Sequence, residues 1–193
     1  MSNKNPNSSV IRTKKAIKTA LISLLNEKDI REITIKEIVA RAEYTRGAFY
    51  AHYQFKEELL DELIQETIEG FLAAFRAPYE GKREEYNIHN LTHSTVVIFQ
   101  YIQENAAAFS LLFKGTSFGF QEKLGVAIKV IYEDEFELLF PQIPSHINRA
   151  IFINQSVYTI LGLIRYWIQS NFMYSAQYMT EQMLEIAKWS YSE

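Results

Sequence analysis

The chain has 193 residues, 48% of them hydrophobic, with no cysteine and a formal net charge of -3. That composition suits one compact unit or two small ones sharing a core, and it excludes a disulfide scaffold, a cysteine-rich zinc module and a thiol nucleophile. A reducing cytoplasm is the expected compartment. The first residues, MSNKNPNSSVIRTKK, are polar, and the longest apolar stretch, Val157 to Ile168, is too short for a bilayer and broken by Arg165, so neither secretion nor a membrane is expected.

Residues 1 to 9, rich in Asn and Ser, read as a disordered arm. Ile17, Ala20, Leu21, Leu24 and Leu25 then recur at helical spacing, so a first helix runs to about Glu27 and turns Arg12, Lys14, Lys15 and Lys18 to other faces. Thr34 with Glu37 three residues on forms a capping box that starts a short second helix, with Ile35, Ile38, Val39 and Ala42 on its buried side. Thr45 caps a third helix running from Arg46 to about Tyr53. A long amphipathic fourth helix spans Lys56 to Phe75, and the Ala77 to Glu85 stretch reads as a linker. Five further helices follow: Ile88–Glu104, Ala106–Lys114, Gln121–Phe140, Ser145–Ser170 and Ser175–Ser190. No segment alternates with period two, so the fold class is all-α with about nine helices. The segment Ile151 to Ile168 is apolar almost all round and is expected to be buried on several sides, within the chain, at a homodimer interface, or both.

The small net charge conceals an asymmetry. Through residue 56 there are eleven Lys and Arg against five acids, a net of +6, and the remainder carries -9. A basic head on an acidic body is what a polyanion-binding module joined to a non-binding partner would look like, because clustered positive charge attracts phosphate.

Two short helices joined by a tight turn inside that head have the outline of a helix-turn-helix, whose second helix enters the DNA major groove. Arg46 can donate two hydrogen bonds to a guanine edge, Gly47 lets the backbone approach closely, and Ala48 can touch a thymine methyl. Thr45 adds a hydroxyl at the reading end. Tyr50 and His52 can donate to phosphates, where Lys56 adds a cation. Thr34, Arg12 and Lys14 complete the expected DNA-binding set. Phe49 and Tyr53 are read as core of the small domain.

These residues resemble the tetracycline-repressor-like (TetR/AcrR) family of bacterial transcriptional regulators. The resemblance rests on residues 12 to 60: Arg12-Thr13-Lys14-Lys15-Ala16-Ile17, the Ile33 to Ala42 segment, and Thr45 to Leu59 with its Tyr50/His52/Tyr53 block followed by Lys56-Glu57-Glu58-Leu59. Where the family often has Ala-Gly-Val-Ser in the inter-helix turn, this chain has Ala42-Glu43-Tyr44-Thr45, so Glu43 must adopt the glycine's backbone or shift the turn. The resemblance implies a nine-helix homodimer whose first three helices bind double-stranded operator DNA, whose remaining helices hold a ligand, and whose last two helices pair across a two-fold axis. The implied division is an arm (1–9), a DNA-binding domain (10–56) and a regulatory domain (57–193). The stretch Tyr101 to Phe109 looks like a C-terminal group found in Gram-positive regulators, including an activator of dihydroxyacetone utilisation. The family's pocket lies among helices 4 to 8, where Phe75, Phe99, Phe113, Phe118, Phe136, Tyr158 and Tyr166 are candidate lining residues for a small apolar or aromatic effector. The expected activity is ligand-responsive repression, with an activator or a protein-controlled regulator of the same fold as the alternative.

Rival chemistries are weaker. Gly115-Thr116-Ser117-Phe118-Gly119 matches G-x-S-x-G, with Asp134 and His146 following in hydrolase order, but that motif needs a strand and a parallel sheet that this sequence does not supply. His89 and His93 sit at i, i+4 without an evident third ligand, so no metal is expected. No phosphate-cradling glycine motif occurs, and no cofactor or catalytic residue is expected.

Overall fold

The computed structural model describes residues 6–81, 96–114, 118–141 and 143–190. Among the described residues there are ten α-helices and no strand: α1 (Pro6–Leu25), α2 (Ile35–Arg41), α3 (Arg46–Tyr50), α4 (Lys56–Arg76), α5 (Ile98–Glu104), α6 (Ala106–Lys114), α7 (Phe120–Asp134), α8 (Phe136–Leu139), α9 (Arg149–Gln169) and α10 (Ala176–Ser190). A 3-10 turn, Ile30–Glu32, precedes α2. None of these helices is long and apolar enough to cross a membrane. The chain forms two compact units that divide between Glu66 and Thr67, inside α4.

The first unit, or head, closes over Ile17, Leu21 and Leu24 of α1, Ile38 and Val39 of α2, Phe49 of α3, Tyr53, and Leu59, Leu63 and Ile64 of α4, all buried. Each such aliphatic side chain contributes on the order of 1.5–3 kcal/mol by leaving water. The start of α1 at Pro6 carries helix into the Asn/Ser-rich segment, in keeping with proline's tolerance of the first turn. Lys14 and Lys18 do not face solvent as the sequence pattern suggests. Lys18 is buried, and the two ammoniums meet Glu62 and Glu66 of α4, with Lys14–Glu62 at 2.9 Å and Lys18–Glu62 at 2.6 Å. Lysines four apart on α1 thus face glutamates four apart on α4, which binds the first turns of α4 to the head.

The second unit, or body, is dominated by aromatic rings. Phe71 and Phe109 lie 6.4 Å apart, Phe109 meets Phe120 edge-on at 5.9 Å, and Phe99 meets Trp167 edge-on at 5.4 Å. A second cluster joins Phe75, Tyr132, Phe140 and Phe152 through centroid separations of 5.7, 5.1 and 4.9 Å. The single helix expected from Gln121 to Phe140 is broken at Glu135, whose φ of -115° and ψ of 23° leave helical geometry. Glu135 is buried there and accepts from Arg76 Nε at 3.3 Å, and the break lets Phe136 and Leu139 turn inward. Helix α9 buries Ile153, Val157, Ile160, Ile164, Trp167 and Ile168 along one face only. Its other face, with Ile151, Tyr158 and Tyr166, is exposed, so within the chain it is not buried all round.

Candidate nucleic-acid interface

The helix-turn-helix is assembled by polar contacts at each chain reversal. Thr34 Oγ1 accepts from Glu37 N at 3.3 Å while Glu37 Oε2 accepts from Thr34 N at 2.9 Å, the reciprocal pair that the Thr-x-x-Glu spacing predicts. The Thr34 hydroxyl also donates to Glu37 Oε2 at 2.8 Å, so its proton is engaged within the cap. Hydrogen bonds from Lys28 and from Thr34 hold the Glu37 carboxyl at about 2.

The turn that follows has a left-handed residue, and it is Glu43, with φ 59°. Tyr44 N donates to Val39 O at 2.9 Å and Glu43 N to Ala40 O at 3.3 Å, the paired bonds of a Schellman stop in which glycine is the usual occupant. Glu43 therefore adopts the glycine backbone and does not shift the turn. Left-handed geometry costs a non-glycine residue roughly 1 kcal/mol.

Thr45 starts α3 by accepting from Ala48 N at 3.2 Å, which leaves its hydroxyl proton to donate elsewhere. Helix α3 is shorter than the pattern suggests: it ends at Tyr50, with His52 and Tyr53 in the turn beyond. Phe49 and Tyr53 are buried, their rings 5.5 Å apart, and the turn is what drops Tyr53 into the core. Burial first, then the charge of Glu62, push the Tyr53 phenol well above its ordinary value. Outward from these anchors stand Thr45, Arg46 and Gly47, all exposed, and Tyr50, which is 58% exposed. Ala48 and His52 are half-buried, His52 lying 6.3 Å from the Tyr53 ring.

Lys56 is placed differently from its expected phosphate contact. Its ammonium donates to the carbonyls of Ile30 and Ile33 at 2.7 Å each and of Arg31 at 3.3 Å. Those three bonds engage all three protons and clasp the start of α4 to the turn before α2.

The eleven basic residues of the head now separate into groups. Lys14, Lys18, Lys28, Arg31 and Arg41 are held by Glu62, Glu66, Glu37, Asp29 and Glu27, and Lys56 by carbonyls. Lys14 thus faces α4 and also lies 5.3 Å from the Tyr53 ring centre. Burial pushes the Glu62 carboxyl up, but the hydrogen bonds from Lys18 and Lys14 outweigh it and hold it at about 2. Lys4 lies outside the described residues. Arg12, Lys15, Lys36 and Arg46 remain, exposed and outside any ion pair among the described residues. Of these, Lys15 on α1 and Lys36 on the first turn of α2 lie outside the expected DNA-binding set; the sequence signal for Lys36 is its position beside the Thr34 cap.

In the body, Phe99, Phe113 and Phe136 are buried and Phe75 and Phe118 half-buried. Tyr158 and Tyr166 are 66% and 52% exposed, so they do not join the interior rings as lining residues; they occupy the outer side of α9, opposite Val157, Ile164 and Trp167. His89, His93 and the Gly115 to Ser117 part of the hydrolase-like motif lie outside the described residues. Asp134 ends α7 and His146 is exposed beyond α8. Among the described residues no three His, Asp or Glu side chains gather as a metal would require.

Comparison with known proteins accounts for both units. Residues 17–63 match the family model described as bacterial regulatory proteins, tetR family, and residues 89–188 match that of a transcriptional regulator C-terminal region. The chain is 22% identical over 175 residues to YxbF, a helix-turn-helix-type transcriptional regulator of Bacillus subtilis (strain 168), covering 88% of this chain and 43% of that relative. It therefore spans less than half of that relative's length. Among solved structures, a TetR transcriptional regulator from Streptococcus agalactiae 2603V is similar with a TM-score of 0.61 and 22% identity, over 93% of this chain and 96% of that one. A TetR/AcrR-family transcriptional regulator from Aquifex aeolicus VF5 gives 0.63 and 24%, over 91% and 98%. The dihydroxyacetone kinase operon activator DhaS gives 0.62 and 15%, over 93% and 96%. At these identities the likeness to solved structures shows a shared fold. With one family model on the capped helix pair of the head and another on more than half of the chain, this protein belongs to the TetR family of bacterial transcriptional regulators.

Proposed function

We propose that the protein is a cytoplasmic, homodimeric regulator that binds double-stranded operator DNA through α3 and represses transcription until a small effector binds its body. The observation that carries the DNA reading is the division of labour on α3: Phe49 is fully buried while Arg46, Gly47 and Tyr50 project from a helix start fixed by Thr45. In this reading Arg46 pairs with a guanine edge, and Gly47 and Ala48 let the backbone lie close against the base pairs. Tyr50 and His52 donate to phosphates, as do Arg12, Lys15 and Lys36, which with Arg46 are the head cations outside ion pairs among the described residues. Thr34, Lys14 and Lys56 act indirectly, by holding α2, α3 and α4 in register.

The dimer reading is supported by two exposed stripes. On α9 these are Ile151, Tyr158, Gly162 and Tyr166, and on α10 Tyr178, Gln182, Ile186 and Trp189, each recurring at helical spacing. Pairing of α9 and α10 with a second copy would cover both and set the two α3 helices to half-sites about 34 Å apart. Effector binding then alters operator affinity by favouring one separation. Buried and half-buried rings such as Phe75, Phe99, Phe113 and Phe136 favour an apolar or aromatic effector.

Selecting bound sequences from random duplex DNA with the purified protein tests the reading. Enrichment of a palindrome is expected, and Arg46→Ala should weaken binding to it by about 1–3 kcal/mol while relaxing the preference at one base pair of each half-site. Equal binding by wild type and Arg46→Ala across operator variants would remove the base-reading role. Transcription from that operator in the presence and absence of the protein reads the sign of regulation.

A further inference from the structure

Four glycines inside helices have their surroundings defined, and an interior helical glycine weakens a helix relative to alanine unless something needs the missing side chain. Two of the four answer to the chain's own packing. A Cβ on Gly70 would stand 2.1 Å from the Tyr101 hydroxyl oxygen, and one on Gly125 would stand 3.1 Å from Leu161 Cδ1. The other two do not. At Gly47 the nearest atom is Thr45 Oγ1 at an ordinary 3.7 Å, and at Gly162 nothing lies within 4 Å. Gly47 is on the face of α3 already assigned to DNA, a partner outside the chain. Gly162 is on the exposed face of α9, one turn from Tyr158 and one turn from Tyr166.

The neighbourhood of Gly162 is built to be covered. No charged residue occurs between Arg149 and Arg165, although Ile151, Asn154, Gln155, Tyr158, Thr159 and Gly162 in that span all face outward. The Tyr166 ring stacks on Tyr174, and Tyr174 on Tyr178, with interplanar angles of 25° and 26°, so a flat aromatic ladder carries this uncharged face across to α10. A solvated helix face would carry charge and would replace the glycine by a stronger helix former.

We infer that Gly162 is the point at which α9 crosses the α9 of a second copy, with the two-fold axis beside its Cα and Tyr158 and Tyr166 of each copy packed around the crossing. This rests on the dimer reading above and adds its register. Side chains hold packed helices 8–10 Å apart, and a notch at the crossing allows closer approach. In an isologous contact the residue on the axis meets its own copy, so a notch there serves both helices at once.

The absence of cysteine makes the test clean, because a single introduced thiol can pair only with its counterpart in another copy. A disulfide requires Cα atoms about 4.4–6.8 Å apart. Under mild oxidation the Gly162→Cys protein should convert to covalent dimer, whereas Gln155→Cys and Gln169→Cys, where the helices diverge from the crossing, should not. Gly162→Leu should raise the dimer dissociation constant at least about tenfold by sedimentation, while circular dichroism shows no loss of helix. A dimeric wild type with no cross-link at residue 162 and an unaffected leucine variant would overturn the register and leave the dimer reading standing. Cross-linking at Gln155 or Gln169 in preference to residue 162 would also overturn it. A wild type that is monomeric at micromolar concentration would overturn the dimer reading and this inference together.

Discussion

The head and the body are stabilised by different chemistry. In the head, Lys14, Lys18 and Lys56 tie α1 and α4 to their neighbours, Thr34, Glu37 and Thr45 cap the short helices, and the aromatic core is little more than Phe49 and Tyr53. In the body, Phe71, Phe99, Phe109, Phe120 and Trp167 are buried and in ring-to-ring contact. The difference is not one of helix length, since α5 and α8 of the body are about as short as α2 and α3 but have no side-chain cap and bury Ile98, Phe99, Ile102, Phe136 and Leu139 instead. In the head, the starts of the seven-residue α2 and the five-residue α3 are fixed by directional bonds at Thr34 and Thr45. A 21-residue helix such as α9 presents a long apolar stripe, and rings fill the spaces between such stripes. A head positioned by hydrogen bonds suits a surface whose exposed groups must hold fixed positions.

The largest effect expected from this contrast is in the body. Trp167 is fully buried, edge-on to Phe99 and Phe172, and its indole donates to Tyr174 O at 2.9 Å. Trp167→Ala should cost about 3–5 kcal/mol in urea unfolding with little dependence on salt, and a loss below about 1 kcal/mol would show that the rings are not what holds the body.

The head should respond to charge instead. Because Glu62 and Glu37 are held at about 2, their contribution to stability is present above the ordinary carboxylate range and is lost as pH falls from about 4.5 towards 2. Lys18→Met should destabilise the head by about 1–2 kcal/mol and move its acid transition to higher pH, because Glu62 then loses the Lys18 contact that keeps it ionised. An acid transition unchanged by this substitution, followed by circular dichroism, would contradict the role given to the α1–α4 ion pairs.

The smallest effect concerns the turn. Glu43→Gly should stabilise the head by roughly 0.5–1 kcal/mol, since the backbone already has the left-handed geometry that glycine adopts freely. A destabilised variant would show that the Glu43 side chain contributes more than its strained backbone costs.

Much of the head is legible in the sequence. Thr34 and Glu37 have the capping-box spacing, Phe49 and Tyr53 have the spacing of a buried pair, and the missing turn glycine places the backbone requirement on Glu43. The length of α3 was not legible, because Tyr53 continues the helical pattern in sequence but is delivered to the core by a turn. Nor was the partner of each lysine. Lys14 and Lys18 look like a solvated face until Glu62 and Glu66, 48 residues on, are laid against them. In the body the aromatic content marked the core, but Tyr158 and Tyr166 were grouped with Phe99 and Phe113 because a ring's composition does not tell which side of its helix faces inward.

Local signals therefore determined the all-helical class, the helix-turn-helix and its caps, since these depend on residues three or four apart whose contacts form within a single turn. Tertiary structure alone decided which cations stay outside ion pairs, which rings meet, where the helix expected from Gln121 to Phe140 breaks, and which face of α9 is left uncovered. Those outcomes depend on side chains far apart in sequence. Charge and hydrophobicity at one position cannot specify them until folding has brought the partner into reach.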